Sequence, residues 1–219
     1  MTLPLDTPSS LATEPSVPAL GGADPGARVA NPLRTQRRQV TVVFIDLRGF
    51  TAFSETAEPQ EVVEVLREYH AEMGRLVVAH AGALERFTRD GGMVCFDDRV
   101  SVPSPPERAL RMVFDMRDHL GQLTSKWRTR NYDLDFASGI AHGYPTVIGT
   151  VTNLAARLCE EAKPGQILVS RRVFAAVEHV VEAEPIGDLT FKGFLGPVPV
   201  FNARSMKGAP GVRGRALIS

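Results

Sequence analysis

Two aspartates at the ends of strand-like apolar runs, and an Asn and an Arg one helical turn apart further on, are the residues here best suited to chemistry. Asp46 closes the run Val-Thr-Val-Val-Phe-Ile (40–45), and Asp90 stands between Glu-Arg-Phe-Thr-Arg (85–89) and Gly-Gly-Met-Val-Cys-Phe (91–96). Carboxylates at two strand ends can hold hard divalent cations, which take oxygen ligands and bridge readily to phosphates. Asn153 and Arg157, at i and i+4, share one helix face and aim at a common target. Cations on one side and a planar guanidinium on the other suit reaction at phosphorus. Taken singly, each Asp reads as an ordinary turn acid, and Arg157 as a helix-surface partner for Glu160 or Glu161.

The elements that must position these groups follow from periodicity. A short, almost wholly apolar stretch at 39–46 predicts a strand buried on both faces. Val62, Val63, Leu66, Tyr69, Met73, Leu76 and Val77 recur at helical spacing, predicting a helix over 59–80 with Pro59 in its first turn. Strands at 82–88 and 92–97 flank Asp90-Gly91, a hairpin signal. A helix at 106–124 has Ala109, Met112, Val113, Met116 and Leu120 inward, and a strand at 132–141 follows. After a link at 143–149 come a helix at 150–162, a strand at 166–169, a helix at 170–177 and strands at 186–191 and 198–202. The interleaving predicts an α/β (α+β) fold, a mixed sheet with helices packed on it.

Composition narrows the class. The chain has 219 residues, 43% hydrophobic, enough for one sizeable core. Residues 1–36, rich in Pro, Ser, Ala and Gly, and 206–219 read as loose tails around a domain at 37–205. Arg34, Arg37 and Arg38 read as a solvated edge before the first strand. Lys+Arg and Asp+Glu balance at 25 each, which argues against an electrostatic nucleic-acid binder. No run approaches the roughly 18 apolar residues of a membrane span, and the N-terminus has no secretion-signal pattern, so a cytoplasmic protein is expected. Cys95 and Cys159, on apolar faces, read as free buried thiols. Trp127 reads as a lone aromatic in a basic loop, and His142 as a packing residue.

Five segments together resemble the catalytic domain of class III adenylyl/guanylyl cyclases. They are Phe-Ile-Asp-Leu-Arg-Gly-Phe-Thr (44–51), Glu-Arg-Phe-Thr-Arg-Asp-Gly (85–91), Gly-Thr-Val-Thr-Asn-Leu-Ala-Ala-Arg-Leu-Cys (149–159), Lys-Pro-Gly-Gln-Ile-Leu-Val-Ser (163–170) and Leu-Thr-Phe-Lys-Gly-Phe (189–194). The resemblance covers roughly 38–204 and implies a ferredoxin-like core, a dimer with another copy or another cyclase domain, and active sites shared between chains. It implies conversion of ATP to cyclic AMP and pyrophosphate with two Mg²⁺ or Mn²⁺ ions per site. By position it assigns Asp46, Asp90 and Ile45 to the metals, and Asn153 and Arg157 to the ribose and the α-phosphate. Gly49, Phe50 and Thr51 fall to a phosphate-cradling turn, Lys192 to the triphosphate, and Arg86 with Thr146 to the base. Guanylyl cyclases tend to carry Glu and Cys at those last two positions, and neither is present.

Two departures stand out. Arg89 occupies a place where relatives carry Gly; if positive φ is needed there, an Arg costs about 1 kcal/mol, and its cation stands beside the metal acids. Relatives also insert a strand and arm where this chain runs from Tyr144 through Pro145 into Thr146. The alternative is therefore a catalytically impaired nucleotide-binding or regulatory partner domain. Diguanylate cyclases share the core topology, but their Gly-Gly-acid-acid-Phe hairpin is absent, since Met93-Val94 follows Gly91-Gly92.

Overall fold

The computed structural model describes residues 38–99, 103–144 and 150–208. Its elements are β1 (Val40–Arg48), α1 (Phe50–Thr56), α2 (Pro59–Ala79), β2 (Ala83–Phe87), β3 (Gly91–Phe96), α3 (Pro105–Arg128), β4 (Asp135–Gly143), α4 (Thr150–Glu161), β5 (Ile167–Ser170), α5 (Arg171–Val177), β6 (Val181–Leu189) and β7 (Val198–Met206). The strands form one sheet ordered β2-β3-β1-β4-β5-β7-β6, antiparallel except for the β4–β5 pair. The first four strands, in the order 2-3-1-4 and joined by helices after β1 and β3, are the expected ferredoxin-like core. The sheet runs on to Met206, one residue past the expected domain end; the N-terminal tail at 1–36 and residues 209–219 of the C-terminal one lie outside the described residues.

Alternation along β1 decides what lies where. Val43, Ile45 and Leu47 face α2, α3 and α5 in the main core, while Val42 and Phe44 face α4. Asp46, two residues on from Phe44, therefore emerges on the α4 side. That helix covers the second face only in part, since Val40, Phe44, Met93 and Cys95 stay half-buried around it. Gly139 of β4 lets α4 lie flat on the sheet, because a Cβ there would fall 2.1 Å from the Cys159 nitrogen.

Several sequence expectations shift. Val63 is 63% exposed, and Val65, 1% exposed, takes the core position in α2. The helix expected to end at 124 continues to Arg128, and Trp127 is not in a loop: it is 1% exposed and donates its Nε1–H to Glu68 Oε2 at 3.1 Å. β4 begins and ends two to three residues later than periodicity suggests. β6 starts at Val181, five residues early, because an edge strand tolerates Pro185 and Gly187 through register shifts beside them. Both cysteines are free, as expected, but only Cys159 is buried and Cys95, on the half-covered face, is not fully so. Arg38 is exposed and pairs with Asp98, whereas Arg34 and Arg37 lie outside the described residues. Among the described residues no helix is long and apolar enough to cross a membrane.

Candidate active site

β1 and the β2–β3 hairpin bring the two acids to the same end of the sheet. Asp46 pairs across with Gly91, and the Leu47 N–H donates to the Asp90 carbonyl at 2.8 Å, which pins the hairpin turn against β1. Thr88 N–H closes the turn on the Gly91 carbonyl at 3.0 Å. Gly91 is required here, since a Cβ would fall 2.2 Å from the Ile45 carbonyl oxygen. The Ile45 side chain is buried, so only that backbone oxygen can serve a ligand. Burial raises the Asp46 carboxyl above its ordinary range, Asp90 adds to the rise, and Arg48 opposes it. Beneath the site the Tyr69 hydroxyl is fully buried, finds no hydrogen-bond partner among the described residues, and is pushed well above the usual phenol value, chiefly by burial.

Two half-buried carboxylates that feel each other, beside a backbone carbonyl in a glycine-walled turn, are a hard-oxygen donor set of the kind Mg²⁺ and Mn²⁺ accept. No cluster of three or more Asp, Glu, His or Cys gathers among the described residues, so the remaining ligands would come from phosphate and water.

Arg48 is the site residue that sequence reasoning passed over. Its Nη1 lies 2.7 Å from Asp46 Oδ2. Its Nη2 reaches the carbonyls at the end of α4, those of Cys159, Glu160 and Ala162, the latter two at 3.1 Å each. The available signal was a lone cation in β1 between an acid and a glycine.

Six of the expected site residues line two neighbouring clefts, whereas Asp90, Gly49, Phe50 and Thr51 line neither. One, about 220 Å³, is lined by Ile45, Asp46, Arg48, Arg86 and Thr88. The other, about 300 Å³, is lined by Asn153, Arg157, Lys192 and the Gly193-Phe194 turn. Ala156 and Glu160 of α4 border both, so α4 is the wall between them. Asp46 and the phosphate-directed cations Arg157 and Lys192 of one chain thus line different clefts. Arg157 is engaged with Glu160 at 2.5 Å, the surface pairing that the sequence left open. Lys192, expected directly after a strand at 186–191, sits in the turn that follows β6, which ends at Leu189.

The turn at Gly49–Thr51 is more structural than expected. Gly49 has φ +82° and a Cβ there would fall 2.2 Å from the Asp133 carbonyl, so its close approach is to the chain itself. Phe50 is buried and Thr51 exposed at the start of α1. Arg89 does not need positive φ: among the described non-glycine residues only Ala81 and Asn131 have it. Its guanidinium stacks over Phe50, 5.4 Å from the ring centroid. Thr146 and most of the shortened link fall at 145–149, outside the described residues.

Residues 34–202 match the family model described as adenylate and guanylate cyclase catalytic domain. Rv2212 of Mycobacterium tuberculosis is 33% identical over 169 residues, 72% of this chain and 39% of that protein. Adenylate cyclase 1 of Rhizobium meliloti is 27% identical over 174 residues, 72% of this chain and 26% of that protein. The chain therefore spans less than half the length of these relatives. Among solved structures, the adenylyl cyclase CyaB from P. aeruginosa is similar at TM-score 0.72 and 30% identity, covering 80% of this chain and 98% of that one. The guanylyl cyclase Cya2 follows at 0.68 and 27%, covering 79% and 94%. The length matched by the family model and the likeness to a solved cyclase at 30% identity agree, and the chain belongs to the adenylate and guanylate cyclase catalytic domain family.

Proposed function

We propose that this domain is an adenylate cyclase, forming cyclic AMP and pyrophosphate from ATP in a site shared by two cyclase domains, a second copy of this chain or another of the family. The observation that carries it is the division of the site residues between two clefts separated by α4. Within one chain Asp46 lines one cleft and Asn153, Arg157 and Lys192 line the other, whereas two domains packed head to tail would bring the two sets to one substrate. The half-covered face around Val40, Phe44 and Met93 is where such a partner would pack.

In the shared site Asp46, Asp90 and the Ile45 carbonyl of one chain would hold two Mg²⁺ or Mn²⁺ ions. Bound there, such ions supply Lewis-acid stabilisation of the attacking and leaving oxygens. Asn153 of the second chain orients the ribose so that its 3′-oxygen lies in line with the α-phosphorus. The 3′-oxygen forms the new P–O bond as its proton departs and the bond to pyrophosphate breaks. Arg157 neutralises charge developing on the α-phosphate, a role whose loss costs about a hundredfold or more. Lys192 receives the polyphosphate as a mobile point charge, and the Phe50 and Thr51 amides at the start of α1 would be further donors to it. Arg86 and Thr146 recognise the base. Arg86 retains a charged donor, and the absence of Glu there supports adenine over guanine.

Purified protein with Mn²⁺ and ATP should make cyclic AMP at a rate that rises more steeply than linearly with dilute protein, and Asp46→Asn should abolish it. ATP binding without product at any concentration would instead assign the chain to the alternative, an impaired partner domain. That alternative has two observations in its favour: the short link before α4, and the pairing of Asp46 with Arg48 and Arg157 with Glu160 inside the chain.

A further inference from the structure

We propose that Arg48 is a positioning residue that ties the metal-directed Asp46 to the helix bearing Asn153 and Arg157, so that cation loading at Asp46 is transmitted to α4. The proposal rests on the two-chain reading above. In a head-to-tail pair, Asp46 of a chain serves one site while α4 of the same chain serves the other, and Arg48 is then a link between the two sites.

The geometry is specific. The last carbonyls of a helix have no intrahelical donor and carry the negative end of its dipole. Nη2 of Arg48 meets that end at Cys159, Glu160 and Ala162, while Nη1 holds Asp46 Oδ2 at 2.7 Å. One rigid, planar group thereby fixes both the carboxylate rotamer and the lateral position of the helix end. The side chain is only 27% exposed, and its partners belong to different elements, so it is more than a solvated surface pair. A divalent cation and the guanidinium compete for the same carboxylate. Binding of the cation loosens the Nη1 arm, and the end of α4 loses part of its anchor. A mere helix cap would hold α4 equally well whether or not Asp46 carried a cation.

The test is hydrogen exchange on the full chain with and without Mn²⁺, no nucleotide present, alongside Mn²⁺ binding followed by electron paramagnetic resonance. In the wild type, Mn²⁺ should speed exchange over residues 158–165 by about tenfold, equivalent to about 1.4 kcal/mol, while α3 is unchanged. Arg48→Met should still bind Mn²⁺, with α4 exchange already fast and insensitive to the ion. Arg48→Lys, which can reach the acid or the carbonyls but not both, keeps the test alive should the Met variant unfold, and it too should lose the Mn²⁺ response. Mn²⁺ bound by the wild type with no change in α4, or a change that persists in both variants, overturns the link alone. No Mn²⁺ binding at all overturns both the link and the metal reading of Asp46.

Discussion

Gly139→Ala is the sharpest test of how the fold positions the site. Gly139 lies in β4 directly beneath α4, and the missing side chain leaves room for helix backbone. A Cβ placed there sits 2.1 Å from the Cys159 nitrogen, 2.3 Å from the Ala155 oxygen and 2.7 Å from the Leu158 carbonyl carbon. Ordinary contact starts near 3.4 Å, and since all three atoms are backbone, no rotamer change relieves the clash. The helix must lift by about 1 Å. Such overpacking costs roughly 1–3 kcal/mol, which at about 2–4 °C per kcal/mol lowers Tm by roughly 2–12 °C.

The catalytic consequence is larger than the thermal one. α4 carries Asn153 and Arg157 and forms the wall between the two clefts. A displacement of about 1 Å there is expected to lower kcat/KM about a hundredfold. The control is Gly121→Ala in α3, where an added Cβ meets nothing within 4 Å. Removing an interior helical glycine should leave Tm unchanged or raise it, by roughly 1 kcal/mol of stability. Tm and Mn²⁺-dependent cyclic AMP formation are measured for both. If Gly139→Ala matches the wild type in Tm and rate, α4 does not lie on β4 as described, and the positioning reasoned from it fails.

Three further outcomes are expected. His142, with Nδ1 2.8 Å from Thr41 Oγ1 and Nε2 2.9 Å from Gln39 Oε1, is held below the usual histidine pKa chiefly by burial. The unfolded chain therefore takes up the proton first on acidification; this contribution to stability is whole above about pH 6.5 and drains away below it. The fall in Tm from about pH 7 to 5 should be shallower in His142→Asn, and equal slopes would refute it. The thiols, pushed up by burial to about 11 at Cys95 and about 12 at Cys159, should resist an aromatic disulfide reagent at about pH 8 until the chain is unfolded, when both react. Prompt labelling of the native protein would contradict the raised values. Glu160→Gln frees Arg157 from an exposed pair worth at most about 1 kcal/mol, so the KM for ATP should fall by no more than about fivefold; a rise would mean that Glu160 aids binding.

Much of this was legible from residue order. The apolar stripes of α2 and α3, the Asp90-Gly91 hairpin and the free cysteines follow from periodicity and turn chemistry, and the ferredoxin-like core formed by the first four strands follows from the family resemblance. Where the sequence misled, long-range partners decided. Trp127 looks like loop because Lys126, Arg128 and Arg130 surround it, yet Glu68, far off in the chain, takes its N–H and lets the helix run on. β6 looks broken at Pro185 and Gly187, and only its place at a sheet edge makes those residues tolerable. Gly49 looks like room for a ligand, but the room is filled by Asp133. The role of Arg48 depends on α4 arriving from more than a hundred residues away, which no local pattern encodes.

Under the proposed function, the last turn of α4 explains how a site for a highly charged substrate can exist without one. Left alone, Asp46 and Arg157 would each be a partly desolvated charge with no partner, a costly arrangement. Glu160 answers for both: its carboxylate takes Arg157, and its carbonyl accepts from the same guanidinium that takes Asp46. It also borders both clefts. These internal pairs are the charges that a polyphosphate and its cations would replace like for like, phosphate for Glu160 at Arg157 and metal for Arg48 at Asp46. Substrate binding then exchanges counter-ions instead of creating new charge contacts from nothing. The gain per contact is correspondingly small, so affinity in such a site should come from the partner chain closing over the nucleotide more than from either half alone.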